Sequence, residues 1–356
     1  MSAGMKTYVR ELAARLPAAA PDLQFIAVSN EALSTPADAI RISDRTARNV
    51  SLGEQALMPA LLRARTWTAG KNDGVLVHYM SVYAPRWSPL PYVYTIHDLI
   101  HRRFPEYFSW KIPLYYAFVA APVAGKARAV ITDANATVAD LQRYLHLRAD
   151  KVRVVPLGVA DGFRLDPIRR TQLADNARAK FALTLPFFLY AGNHRAHKNL
   201  QTLAEAWAQT PEPCDLVITE EGPFSFDVDG VRKEGGRLRR IGRVGGADLA
   251  GLYAACVAAV QPSLFEGFGL SVLEAMAAGA PVIVAQTPAL LEIAADAALT
   301  FAPRDSRMLA VCMRALLESD QLRAELSAAG KIRAQGFTWD ETARRTAAVY
   351  REALAA

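Results

Sequence analysis

The chain has 356 residues, 52% of them hydrophobic and 21% charged, which suits two globular domains and excludes a disordered chain. No uninterrupted apolar run reaches the ~18 residues of a membrane span, and the opening Met1-Ser-Ala-Gly-Met-Lys6 does not read as a signal peptide. Residues 1–160 hold 19 Lys and Arg against 12 Asp and Glu, while the remainder holds 22 against 23; the basic first half points to an anionic surface or substrate, with a solvated basic face as the alternative. Three scattered cysteines, Cys214, Cys256 and Cys312, lack metal-ligand and redox spacing, which favours a reduced, cytoplasmic setting.

In chain order, the sequence opens on a loop and an amphipathic helix with no strand before it. Strands are expected at 24–28, 74–78, 93–97, 129–132 and 152–156, then at 187–191, 215–219, 238–241, 258–261, 281–285 and 299–301. Many are continuous apolar runs, as parallel strands covered on both faces require. Helices between them make βα units, hence a doubly wound sheet in each half. Such a sheet places its first strand in the middle, so the helical opening implies an absent first strand and a late start, or a neighbouring strand in its place. The expected domains are 1–163, 164–335 and a C-terminal helix, 336–356, that packs back on the first domain. Thr338-Trp-Asp-Glu341 reads as the capping box that starts this helix.

The most informative segment runs from Gln261 to Gly279, QPSLFEGFGLSVLEAMAAG. A strand ends, a glycine-containing loop follows, and a helix begins. Amides at a helix start form an anion site, so the N–H groups of Phe268, Gly269 and Leu270 are candidates to receive phosphate or sugar oxygens. Glu266 lies in the loop and Glu274 in the first helical turn. Ser271-x-x-Glu274 is also a capping box, which would give Glu274 a purely structural task. Earlier, Lys198 opens a helix expected at 199–209, with Arg195 and His197 close by. A cation opposes the helix dipole there and a bound diphosphate would reverse that penalty; an exposed basic loop is the alternative. His97 ends a strand of the first half, as a site residue or a structural histidine. Asp227-Val-Asp229 reads as a turn rather than a metal chelate. Residues 104–118 hold seven aromatics, read as a helix buried against the first sheet in preference to a lipid-facing surface.

Together these segments resemble the retaining glycosyltransferases of family 4. Glu266 and Glu274 sit in a Glu-x7-Glu pattern, and Val93-Tyr-Thr-Ile-His97-Asp98, Phe104-Pro-Glu-Tyr-Phe108, Lys151–Gly158, Tyr190–Leu200 and Gly251–Ser263 are also similar to that family. The resemblance implies the GT-B fold, two Rossmann-like domains facing across a cleft. It implies a metal-independent hexosyltransferase, with mannose as the candidate sugar, acting in surface polysaccharide assembly. His97 and Glu266 then serve the transferring sugar. Gly4, Arg195, Lys198, Phe268, Gly269, Leu270 and Glu274 bind the donor, a GDP- or UDP-sugar. Asn193 and His197 stand where the family often carries an arginine, and Lys6 where it has a second glycine. A glycan or lipid-linked acceptor is expected, with no cofactor beyond the nucleotide sugar and no nucleic-acid partner. The location expected is cytoplasmic, with peripheral contact at the inner membrane face through the basic domain. The competing reading is a catalytically impaired nucleotide-sugar-binding or partner-binding protein of the same fold.

Overall fold

A computed structural model describes residues 3–29, 38–41, 59, 74–220, 222–227, 230–231 and 234–356. The chain divides into two units, Met1–Gly158 with Trp339–Ala356, and Val159–Thr338.

The first unit begins with helix α1 (Ala3–Ala19). Tyr8, Leu12 and Leu16 recur every four residues and are all buried, so one face of the helix enters the core. Two short parallel strands follow, β1 (Ile26–Ser29) and β2 (Asp38–Arg41). A separate four-stranded parallel sheet has the order β3 (Val77–Tyr79), β4 (Tyr92–Thr95), β5 (Ala129–Thr132), β6 (Val152–Val154). Among the described residues no strand joins β1 to β3. Helix α2 (Asn135–Leu145) connects β5 to β6. The C-terminal helix, Trp339–Ala355, packs on α1. Trp339 lies 6.4 Å from the Tyr8 ring, and Asp340 pairs with Arg15 at 3.0 Å.

The aromatic segment is half of what was expected. Helical turns run from Ile112 through Lys126, with Tyr116–Ala120 π-helical. Tyr115 and Tyr116 enter the core with Tyr94, Leu99 and Val130. Trp110, Leu114 and Phe118, spaced by four, are 74%, 47% and 62% exposed. The segment is therefore buried on one face and apolar on the other.

The second unit is a six-stranded, all-parallel sheet. Its strands are β7 (Phe187–Tyr190), β8 (Asp215–Thr219), β9 (Leu238–Gly242), β10 (Ala258–Gln261), β11 (Val282–Ala285) and β12 (Leu299–Phe301), in the order β12-β11-β10-β7-β8-β9. β7, β8, β10 and β11 are buried at every position, which is why they read as continuous apolar runs. Helices α3 (Pro167–Lys180), α4 (Leu200–Gln209), α5 (Gly246–Ala255), α6 (Leu270–Ala277), α7 (Pro288–Ala294), α8 (Ser306–Glu318) and α9 (Asp320–Gln335) cover it. Asp166 caps α3 by accepting from the Arg169 amide at 2.9 Å, with Pro167 in the first turn. Gly251 lets α5 lie against α3, since a Cβ there would come within 2.4 Å of the Leu173 carbonyl oxygen.

Candidate active site

β7 and β10 are neighbours at the centre of the six-stranded sheet. The chain leaves β7 for β8 on one side and leaves β10 for β11 on the other. The loops after these two parallel strands therefore emerge at the same edge, at the topological switch point where open α/β sheets bind ligands.

The two loops are tied together. The Leu264 amide donates to the His197 carbonyl at 2.8 Å, and Asn199 Nδ2 to the Pro262 carbonyl at 3.1 Å. Lys198 ends a 3-10 turn (Ala196–Lys198), and Asn199, left-handed at φ 57°, starts α4. Lys198 Nζ lies 2.7 Å from Glu266 Oε1, with both side chains largely buried at 13% and 14% exposure. Lys198 is thus not an exposed loop cation, and Glu266 offsets its charge at the helix start. Arg195 is exposed and His197 buried.

Glu266 is the hub. Its Oε1 also accepts from Gln261 Nε2 at 2.6 Å and Ser263 Oγ at 2.7 Å. Burial alone would raise its pKa, but Lys198, Ser263 and Gln261 outweigh that and hold it below the ordinary range. Three donors share one oxygen, while Oε2 accepts no hydrogen bond among the described residues.

Beyond Glu266 the chain turns into α6. Gly269 is the N-cap, at φ 108°, a left-handed conformation that suits glycine. A Cβ there would also meet Leu290 Cδ2 at 3.0 Å. Phe268 is buried with its ring 6.1 Å from Phe337, which anchors the loop from inside. The amides of Phe268, Gly269 and Leu270 donate to no acceptor among the described residues. Because Gly269 is the cap, Ser271 and Glu274 do not form a capping box. Ser271 Oγ instead donates to Gln261 Oε1 at 3.3 Å. Glu274 falls in the second turn, not the first, and its carboxylate has no hydrogen-bond partner among the described residues. Burial alone pushes its pKa up to about 8.

Asp227 accepts from the Gly230 amide at 3.0 Å and so closes a turn, while Asp229 lies outside the described residues.

The first unit carries its own constellation. His97 stands two residues beyond β4, and Asp133 directly follows the neighbouring strand β5. His97 Nδ1 donates to Asp133 Oδ2 at 2.7 Å, and Asp133 is 2% exposed. The Tyr8 ring meets His97 edge-on at 4.7 Å. Thr95 Oγ1 links the Tyr8 hydroxyl at 3.2 Å to His78 Nε2 at 2.7 Å, and His78 Nδ1 meets the Tyr350 hydroxyl at 2.6 Å. Burial, helped by the charge of His97, lowers the His78 pKa to about 3, so His78 is neutral. Gly4 lies in the first turn of α1, with open space where a Cβ would stand. The structure thus gathers Lys198, Glu266, Gly269 and Leu270 at one sheet edge, and His97 with Asp133 at another. Asp133 was not singled out in the sequence. Its signal is an acid one residue past a buried strand, beside the strand that delivers His97.

Two parallel-sheet α/β units of this kind make up the GT-B fold. Residues 2–162 match the model of Glycosyltransferase Family 4, and residues 173–333 that of Glycosyl transferases group 1; the chain belongs to this glycosyltransferase family. It is 26% identical over 306 residues to O-antigen chain mannosyltransferase B of Escherichia coli, across 81% of this chain and 77% of that one. The sucrose-phosphate synthase of Thermosynechococcus elongatus superposes with a TM-score of 0.76 at 22% identity, covering 99% of this chain and 94% of that one. Anabaena Alr3699/HepE in complex with UDP-glucose superposes with a TM-score of 0.73 at 19% identity, covering 98% and 95%. No helix of the described residues is long and apolar enough to cross a membrane.

Proposed function

We propose that this protein transfers a hexose, mannose being the first candidate, from a nucleotide-diphosphate sugar to a glycan or lipid-linked acceptor in surface polysaccharide synthesis, with retention at the anomeric carbon. One observation carries the reading: at the switch point, three amides with no acceptor among the described residues (Phe268, Gly269, Leu270) follow Glu266, which pairs with Lys198 of the neighbouring loop.

The bond to the leaving diphosphate breaks with negative charge building on its oxygens. Fixed donors aimed at that charge lower the barrier more than they favour the ground state. Lys198, the α6 amides and Arg195 supply them, and no metal ion or cofactor is invoked. Lys198 would exchange its carboxylate partner for the diphosphate. Glu266, still held by Ser263 and Gln261, would use its bare Oε2 for sugar hydroxyls. Glu274 would accept from the ribose hydroxyls, which favour its ionised form and repair its burial. Gly4 leaves the start of α1 open to the donor, and His97 serves the transferring sugar. The mannosyltransferase relative supports the choice of sugar, and the UDP-glucose complex of the Anabaena neighbour supports a nucleotide-sugar donor. The exposed Trp110, Leu114 and Phe118, on the basic first half of the chain, support peripheral membrane contact.

A thermal-shift series with GDP- and UDP-sugars tests this. A donor at about 100 times its Kd adds ~2.7 kcal/mol of stability. Wild-type protein should gain it with one nucleotide series, and Lys198→Ala and Glu274→Ala should lose most of it. Unchanged donor binding and turnover in both variants would refute the assignment.

A further inference from the structure

We propose that Asp133 is a positioning residue for the transfer reaction: its buried carboxylate fixes the His97 ring through Nδ1 and keeps it an imidazolium, so that His97 acts as a fixed positive charge and not as a general base. The proposal rests on the reading that His97 belongs to the transfer site.

The geometry separates the two roles. A general base must present an unprotonated nitrogen within reach of the proton it takes. His97 Nδ1 is spent on Asp133 at 2.7 Å, and Nε2 is buried, with no well-formed hydrogen bond among the described residues but with the Met80 backbone carbonyl as the acceptor that faces the ring. What reaches solvent is the remainder of a side chain that is 18% exposed. The ring can therefore project charge but has no open nitrogen with which to collect an acceptor proton.

The surroundings also fix the sign of the charge. From β5 comes Asp133, and from the residue next to His97 comes Asp98. From β3 comes the neutral His78, from the residue just after that strand the Met80 backbone carbonyl, and from α1 the uncharged Tyr8. Burial opposes the imidazolium, but Asp133, by charge and hydrogen bond, and then Asp98 and the Met80 carbonyl outweigh it and raise the His97 pKa. The pair is mutually dependent. Asp133 Oδ1 is buried without a partner, so without the imidazolium the carboxylate would be an uncompensated buried charge. One proton is thus held between the two residues: burial raises the Asp133 pKa against the charge and hydrogen bond of His97, while Asp133 raises that of His97.

The sign of the pH dependence discriminates. A required imidazolium makes turnover fail on the alkaline side, whereas a required base makes it fail on the acid side. The experiment measures kcat/KM against pH for the wild type and Asp133→Asn, together with the His97 ring titration by NMR, assigned by the resonance missing in His97→Ala. Asparagine keeps the size and can still accept from Nδ1 but carries no charge. The expected result is an alkaline limb in the wild type that moves down by about one pH unit or more in Asp133→Asn, together with the His97 midpoint, which is roughly tenfold in rate on that limb. A merely structural Asp133 would lower stability and leave both midpoints in place, as Asp133→Ala checks by retained fold and titration. An unmoved His97 midpoint in folded Asp133→Asn, or a wild-type profile falling only towards acid, overturns the proposal. Full turnover in His97→Ala would overturn it differently, by removing His97 from the reaction. Lost turnover in His97→Ala with an unmoved midpoint in Asp133→Asn overturns the coupling alone.

Discussion

Replacing Glu274 by glutamine should change how stability depends on pH more than it changes stability itself. The Glu274 carboxylate has no hydrogen-bond partner among the described residues, and burial lifts its pKa from 4.5 to about 8. The folded protein then holds this proton more tightly than the unfolded chain. Stability is greatest below the unfolded value and declines as pH rises towards the folded one. Integrated from about pH 5 to pH 8, the loss from this one group is ~3–4 kcal/mol. Glutamine has the same shape and no proton to lose, so the Glu274→Gln curve should lack that decline. Urea unfolding at half-unit pH steps reads it directly. A second consequence follows from the proposed ribose contact. Hydroxyl donors favour the carboxylate, so at about pH 7 donor binding should expel close to one proton per molecule in the wild type and none in the variant. Calorimetry in buffers of different ionisation enthalpy measures this. Parallel stability curves for the two proteins would refute the burial argument, and wild-type binding with no proton release would refute the ribose contact.

Lys198→Ala leaves Glu266 largely buried without its cation and should cost about 3–5 kcal/mol. Pairing it with Glu266→Gln in a denaturant midpoint measurement should recover much of that stability but none of the turnover. Gly269→Ala forces a left-handed backbone on a residue with a Cβ and crowds Leu290, for about 1–3 kcal/mol; its chemical-denaturation midpoint should fall while Ser271→Ala barely moves. Trp110→Ser with Phe118→Ser should abolish sedimentation with anionic liposomes at an unchanged melting temperature, because both side chains are exposed; retained sedimentation would place membrane contact elsewhere.

The second unit was legible because its central strands are buried on both faces, and burial writes continuous apolar runs into the sequence. Ala258–Gln261 and Asp215–Thr219 have the bounds expected of them. β2 was missed because Asp-Ala-Ile-Arg has neither an apolar run nor clear alternation. The aromatic stretch 104–118 was read as buried because counting rings does not say which face they occupy. A π-helical turn in its middle further disturbs the helical period. The position of Glu274 was misread for a backbone reason. A capping box requires Ser271 to precede the helix, and the left-handed Gly269 starts it two residues earlier. Pairs distant in sequence were out of reach altogether. Lys198 and Glu266 are 68 positions apart, His97 and Asp133 are 36 apart, and only the parallel order of their strands makes them neighbours.

The two constellations handle charge in opposite ways, and the difference has a physical consequence. In the first unit Asp133 has one donor, and that donor is the ring whose charge it stabilises, so the pair is closed. In the second, Glu266 Oε1 has three donors within 2.7 Å, more than the two lone pairs of one oxygen can serve well. One donor is therefore in excess. Gln261 and Ser263 belong to the strand end and are buried, whereas Lys198 sits on a four-carbon stem and is the donor that can leave. Its departure leaves the carboxylate two hydrogen bonds but no cation, whether the lysine swings away or is deleted. A lysine that swings to an arriving diphosphate gains a new anionic partner that offsets the lost pair, whereas deletion gains nothing in its place. That difference is why Lys198→Ala should harm folding, whereas the same lysine can still be lent to a ligand.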